Sequence, residues 1–494
     1  MHSYNINLVE EEEEEEEELE EESDELIPDR PELKYQKIQK LKFLCPPSNL
    51  SPHPRTLFFY YNPKLNKNQN TSELKIIDYE IKEKKYMVVY KAYQNIPLCL
   101  SEPMKFNNII RTKLFDNTNI IWKLLKQNLM FPLLKTLNKY QKYNHFPITW
   151  QLSRKDNLYN NYQKMKTNFP NEYNYMPETY IIPKDKDIFL SKNENYQLNQ
   201  NNIWLIKPVA SSRGRGIRIL TDIKDIPEKC LITHYISNPH LINGKKYDLR
   251  LYVLITGYTP LKIYLFNDGL ARFCSEDFDL DQNKLNDNFI HLTNYSINKD
   301  SKKFEKNNCP EKEEGNKWSL LTYKKHLIEE KIDLEKIWNK IKDIIIKTII
   351  SITDNGIPII KCFKLSSVNL FEIYGFDILL DDNLNPWLME VNLNPSLNCD
   401  SYLDLKIKSQ LLTDIFNIIG PIPFSHDGKF NIIDEEVFYT DSVNEAVNET
   451  LHEFHRPTGG FERIFPLKEN IDIYSKFLFK PEEENKAVWA NLQL

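Results

Sequence analysis

The chain has 494 residues, 41% of them hydrophobic, enough for real cores in about two to four compact domains. No apolar run approaches the length of a membrane span, and residues 1–10 carry neither the basic nor the apolar region of a secretory signal. The net charge of −7 hides an asymmetry: residues 1–25 hold fourteen acids and no Lys or Arg, and removing those fourteen from the 71 acids leaves 57 against 64 bases, about +7.

Glu10–Glu18, continued by Glu20–Glu22, repels itself and is expected to be disordered as a tail over residues 1–30. It is either a solubilising tail or a competitor for a site that takes acidic substrate. Residues 31–130 form an N-terminal region with low-complexity insertions such as Lys64–Thr71, and Ser191–Asn202 is a similar insertion further on. The spacing of apolar residues predicts a helix over Ile120–Leu137 and a strand over Ile203–Ile206 that runs into the glycine-rich Ser211–Gly216. Leu249–Thr256 and Leu261–Phe266 read as strands around a turn at Gly257–Pro260. Trp318–Ile352 is mostly helical with a break near Asp333. Phe376–Leu380 and Trp387–Val391 are strands around turn residues Asp381–Asn385. Asp434–His455 has helical character. Sheet-rich segments flanking helices make the fold class α+β. The seven cysteines are scattered with no CxxC pair, which argues against a disulfide framework or a zinc site and for a reducing, cytosolic setting.

Four segments carry chemistry. In the first, Lys207, Arg213, Gly214, Arg215 and Gly216 follow a strand. Such a loop can present N–H groups and cations to phosphate, or be only a tight basic turn; it is neither a Walker A nor a dinucleotide fingerprint. In the second, Glu390 and Asn392 lie two apart on a strand and share a face. If the turn pairs the strands, Asp377 joins them, and three oxygen ligands suit Mg²⁺. The alternative, a polar trio on a wet sheet face, sits poorly with the apolar flanks Phe376, Ile378, Leu388 and Val391. The third is Lys246-Tyr247-Asp248-Leu249-Arg250, readable as an ordinary ion-pair ladder. The fourth is the hydroxyl-rich segment His291–Lys299.

In this order the segments resemble the tubulin tyrosine ligase-like family, most closely its polyglutamylating members. The likeness is carried by Trp204–Ile217 (WLIKPVASSRGRGI), Tyr247–Val253 (YDLRLYV), Ile263–Phe273 (IYLFNDGLARF), His291–Lys299 (HLTNYSINK) and Tyr374–Leu397 (YGFDILLDDNLNPWLMEVNLNPSL). Gln141–Tyr159, Leu403–Ile418 and Gly460–Pro466 are also similar. The resemblance implies an ATP-grasp fold with N-terminal, central (131–236) and C-terminal (237–425) subdomains, followed by an extension over 426–494. It implies ATP held by Lys207, Arg213, Gly214, Lys246, Tyr247, Asp248, Thr293 and Asn294. The hinge Thr233-His234-Tyr235-Ile236 would hold adenine, although relatives often carry Gln at the position of Thr233. Mg²⁺ would sit on Asp377, Glu390 and Asn392. Arg250, Lys207 and Lys246 would be catalytic cations, and Arg272, Tyr295, Ser296 and Lys317 would hold the incoming amino acid.

The implied activity is ATP-dependent addition of free glutamate to glutamate side chains of tubulin tails, through an acylphosphate. Glycine or tyrosine ligation, or a microtubule binder with a dead site, are the competing readings. The implied partner is tubulin or microtubules, with Lys406 and Lys408 as candidate attractors of an acidic tail. Neither nucleic acid nor membrane is expected, and the protein is expected to be monomeric, in the cytoplasm on the cytoskeleton or at a cilium or flagellum basal body. Glu390→Ala or Asp377→Ala is expected to abolish ligation and leave folding intact.

Overall fold

The computed structural model describes residues 38–493, apart from 51–52, 67–68, 82–87, 93–95, 113–117, 124–129, 195, 200–201, 210, 212–213, 308, 366–367 and 425–441. The acidic run and Arg213 lie outside the described residues.

The architecture is mixed α and β, with four sheets among the described residues. A three-stranded antiparallel sheet joins β1 (Gln39–Leu44), β2 (Thr56–Leu57) and β3 (Ile76–Ile81). A parallel sheet joins β4 (Val89–Ala92), β5 (Ile110–Arg111), β6 (Ile120–Trp122) and β7 (Lys142–Tyr143). An antiparallel sheet follows, ordered β10-β9-β11-β8, from β8 (Thr179–Ile182), β9 (Trp204–Lys207), β10 (Arg218–Ile219) and β11 (Cys230–His234). The largest sheet contains β12 (Leu241–Ile242), β13 (Lys245–Tyr258), β14 (Leu261–Phe273), β15 (Lys317–Ser319), β16 (Glu372–Leu380), β17 (Pro386–Leu393) and β18 (Phe461–Phe465).

The long β13–β14 hairpin is the spine of the molecule. Its two strands are almost fully buried, as expected of a sheet covered on both faces, and charged residues such as Asp248, Arg250 and Arg272 interrupt their apolar runs. One core packs helix α1 (Lys155–Asn168) and α2 (Leu334–Ile350) on one face. A second core packs α3 (Tyr402–Ile419) and the N-terminal strands on the other. The helical break is where the sequence puts it: Asp333 caps α2 by accepting from the N–H of Lys336.

One element differs in kind. The segment expected to be a helix over Ile120–Leu137 begins as β6, pairing with β4 and β7, and among its described residues only Met130–Leu134 is helical. Ile120, Ile121 and Trp122 are all buried. A short apolar run buried on both sides has no period that separates strand from helix, and Pro132 disfavours a long helix. The helix expected over Asp434–His455 is α4 (Ser442–Phe454); residues 434–441 lie outside the described residues. Among the described residues no helix is long and apolar enough to cross a membrane.

Candidate active site

Strand alternation explains which side chains meet. Across the large sheet, Asp377 on β16 is directly opposite Glu390 on β17 and Arg250 on β13, and Gly375 is opposite Asn392. Asp248 on β13 is opposite Arg272 on β14, which is opposite Lys317 on β15. Since alternate residues share a face, one face carries all of these groups. The register slips just after the Asp377–Glu390 pair, a bulge of the kind that re-aims side chains beside functional sites.

Arginine–carboxylate pairing dominates the centre of that face. Arg250 grips Asp377 with Nε and Nη2 (2.6 and 3.0 Å). Arg272 grips Asp248 with Nε and Nη2 (2.7 and 2.6 Å) and also donates Nη2 to Asp377 (2.7 Å). Thr293 Oγ1 donates to Asp248 (2.6 Å). Burial alone would raise the Asp377 acid, but the Arg250 and Arg272 charges hold it well below its ordinary value. Gly375 makes room for this arrangement, because a Cβ there would lie 3.1 Å from Cδ and Nε of Arg250. The bonds above use Nε and Nη2 of Arg272; among the described residues its Nη1 hydrogens meet no acceptor.

Glu390 is the more open carboxylate. Burial and then the neighbouring Asp377 charge push its acid above the usual range. Asn392 donates Nδ2 to Glu390 (3.1 Å), which leaves its carbonyl oxygen for a cation. Two carboxylates and an amide oxygen on one face, with the partly buried Glu390 repelled by its neighbour, fit a divalent ion that takes hard oxygen ligands and keeps waters. Among the described residues no three His, Cys, Asp or Glu side chains cluster into a metal cage, so the ion would depend on Asn392, water and phosphate for its remaining ligands.

The lysines present the opposite situation. Burial brings Lys207 down to about 8, with Glu390 opposing and Lys155 and Lys246 adding to the shift. Lys246 is likewise brought down to about 8 by burial. Its Nζ donates to Tyr235 Oη and His291 O, both at 3.0 Å, and lies 4.3 Å from the Tyr235 ring centre. Tyr235 Oη meets His291 Nδ1 at 2.9 Å, and His291 Nε2 meets Lys284 O at 3.1 Å. The chain of donors therefore fixes His291 as the neutral Nε2–H tautomer, in keeping with a pKa lowered to about 4 by burial and Lys246.

Gly214 of the glycine-rich loop lies against the hydroxyl-rich segment. Gly214 has φ +76°, and a Cβ there would meet Ile297 Cδ1 at 2.6 Å and Asn294 Oδ1 at 2.8 Å. Lys155, at the start of α1, ties the loop to the carboxylates: its Nζ donates to Ser211 O (2.6 Å) and lies 3.9 Å from Glu390 Oε2. Sequence reasoning passed over Lys155. It stands in a quoted family-like segment, but nothing local marks it, because its partners are 56 and 235 positions away.

Other expected residues are placed less simply. The Tyr247 hydroxyl points away from the site, bonding His240 and Tyr323. In the hinge, the N–H groups of His234 and Tyr235 are taken by Glu178 O and Ile203 O, and the Thr233 hydroxyl accepts from Thr179. The Ile236 N–H has no acceptor among the described residues. Lys317 donates to Asp404 (2.9 Å) and lies 4.3 Å from the Tyr295 ring centre, beside a small pocket lined also by Phe304 and Ser401. Ser296 follows Tyr295 on the same helical turn. Lys408 is not a surface attractor: it is buried and paired with Asp404 at 2.8 Å, while Lys406 pairs with Glu311. Helical spacing marks Lys408 as solvent-facing only if the face is known, and α3 is buried nearly all round.

Residues 134–428 match the sequence model of the tubulin-tyrosine ligase family. Tubulin polyglutamylase TTLL5 of Mus musculus is 43% identical over 292 residues, 58% of this chain and 22% of the relative. Tubulin monoglutamylase TTLL4 of Mus musculus is 38% identical over 292 residues, 58% of this chain and 24% of the relative. A probable beta-tubulin polyglutamylase of Tetrahymena thermophila is 35% identical over 386 residues, 73% of this chain and 32% of the relative. The chain thus spans between a fifth and a third of the length of these curated relatives.

Proposed function

The chain belongs to the tubulin-tyrosine ligase family, and from that footing we propose that it is an ATP-dependent ligase that adds glutamate to glutamate side chains of tubulin tails. The single observation that carries the reading is the pairing of two opposite charge arrangements: lysines with no acid partner among the described residues beside a glycine-rich loop, and a carboxylate face beside them. The first suits a polyphosphate and the second its metal. The ATP-grasp arrangement fits this division, with β8–β11 and the large sheet as the two subdomains that flank the nucleotide.

The acceptor carboxylate is a poor acylating agent until ATP converts it to an acylphosphate; the amine of free glutamate then attacks and phosphate leaves. Bound Mg²⁺, on Glu390, Asn392 and Asp377, would neutralise charge on the phosphate oxygens. Lys207 and Lys246 add positive charge from the protein side, Gly214 with Arg213 lets the backbone approach the phosphates, and Thr293 and Asn294 flank them. Arg250 holds Asp377 in place and lends its charge to the phosphoryl oxygens. The Nη1 hydrogens of Arg272, with Lys317, Tyr295 and Ser296, suit an amino-acid carboxylate, while Nε and Nη2 stay on Asp248 and Asp377 and fix the guanidinium. Ile236 offers its N–H to adenine. The names of the relatives favour glutamate as the added residue, and in this reading the protein works on the microtubule cytoskeleton as a monomer.

The deciding experiment incubates the full chain with ATP, Mg²⁺, tubulin and labelled glutamate, glycine or tyrosine, and maps the tails by mass spectrometry. Glutamate on side-chain carboxylates is the expected result. Glycine or terminal tyrosine would redirect the assignment within the family, and no incorporation at all would favour an inactive binder.

A further inference from the structure

Two thiols lie beside the segment that joins the metal-facing strand to the amino-acid pocket. Cys99 is fully buried in the helix Leu98–Phe106. Cys399 is partly exposed, in the link between β17, which carries Asn392, and α3, which carries Asp404. Both sulfurs lie against one acceptor, the carbonyl oxygen of Leu397, at 3.1 Å from Cys99 and 3.4 Å from Cys399, which makes the two thiols neighbours. Lys408 adds positive charge to the same spot. The neighbouring Cys99 thiol lowers Cys399 to about 7 and so favours its thiolate, and the Cys99 thiol is raised in exchange.

We propose that Cys99 and Cys399 are a peroxide-sensitive dithiol whose closure to a disulfide disables the adjoining site. Its effect on ligation rests on the function proposed above; the chemistry of the pair does not. The Cys399 thiolate attacks one oxygen of hydrogen peroxide. The O–O bond breaks, the leaving hydroxide takes a proton to become water, and a sulfenic acid remains on Cys399. The Cys99 sulfur then attacks the sulfenic sulfur; the S–S bond forms, the S–O bond breaks, and the oxygen leaves as water with the Cys99 proton. Two thiols are oxidised, one peroxide is reduced, and two waters are released. Closure takes the Cys99 S–H away from the Leu397 carbonyl. That buried carbonyl must then find other partners, so residues 394–401 shift between Asn392 and Asp404.

The test treats the full chain with hydrogen peroxide and maps disulfides under non-reducing conditions. It also measures glutamate incorporation and, separately, nucleotide affinity. A Cys99–Cys399 linkage, with loss of ligation or of nucleotide affinity and recovery of both in dithiothreitol, is expected. Cys399→Ser, at the partly exposed and therefore more tolerant position, is expected to keep its activity through the treatment. Oxidation of the exposed Cys362 without a 99–399 linkage would overturn the proposal. So would a linkage that changes neither activity nor affinity, or equal inactivation of Cys399→Ser. If the reduced chain ligates nothing, the function reading fails, while the linkage map and the nucleotide titration still decide this one.

Discussion

The sheet face and the glycine-rich loop treat buried charge in opposite ways. On the sheet face Asp248, Asp377, Arg250 and Arg272 answer one another through bonds of 2.6 to 3.0 Å. Beside the loop, Lys207 and Lys246 have no carboxylate within ion-pair distance among the described residues, and both are brought down to about 8. A matched buried network fixes geometry and adds little net stability, whereas breaking it leaves an uncompensated charge. An unmatched buried cation is held at a cost, and marks where an anion belongs. The first region is the frame and the second is the receptor.

The largest test of this contrast is a pair of carboxylate variants. Asp377→Ala strips two buried guanidinium groups of their acceptor, and should lose ligation together with about 3–5 kcal/mol of stability in a denaturant titration. Glu390→Ala should lose ligation equally, yet change stability by no more than about 1 kcal/mol, because the residue removed is repelled by Asp377. The structure thus divides the expectation that both would fold normally; equal stability of the two variants would break the frame assignment.

Next, Lys207→Met should weaken ATP binding by about 1.5–3 kcal/mol in a calorimetric titration while stability holds or improves. The pH dependence has two signs. ATP binding should weaken as pH rises through about 8, where Lys207 and Lys246 lose their charge. The folded chain without nucleotide should gain stability from these two groups between about 8 and their ordinary value of 10.5, since the unfolded state there binds more protons. Gly214→Ala, placed at φ +76° against Asn294 and Ile297, should cost about 1 kcal/mol or more and raise the KM for ATP. The smallest effect is expected for Lys155→Met: a severalfold rise in the KM for ATP with kcat little changed, measured by ligation kinetics, since a tether to Ser211 O is lost and no reacting group is touched.

Periodicity made much of the frame readable. Glu390 and Asn392 two apart, and Asp248 and Arg250 two apart, declare a shared face wherever a strand is assumed. The pairing of Asp377 with arginines was not readable, because register between β13 and β16 is set by packing over more than 100 residues of intervening chain. Tyr247 shows the same principle in reverse: one step along the strand, it faces the core. Lys155 and Lys408 failed for the same reason from opposite sides. One looked ordinary and reaches the site; the other looked exposed and is buried.

The β14 strand has a consequence for anyone cutting the gene. One end carries Arg272, and the other pairs with β18, some 200 residues later. The buried Glu453 of α4 accepts from Lys262, Thr256 and Tyr264 of the same hairpin. A chain trimmed to the matched span, 134–428, would bare a strand edge at Ile263–Phe266 and orphan an interior ammonium, besides losing N-terminal residues such as Phe43 and Leu100 from the second core. The smallest piece that behaves in a test tube is therefore wider than the piece that evolution labels.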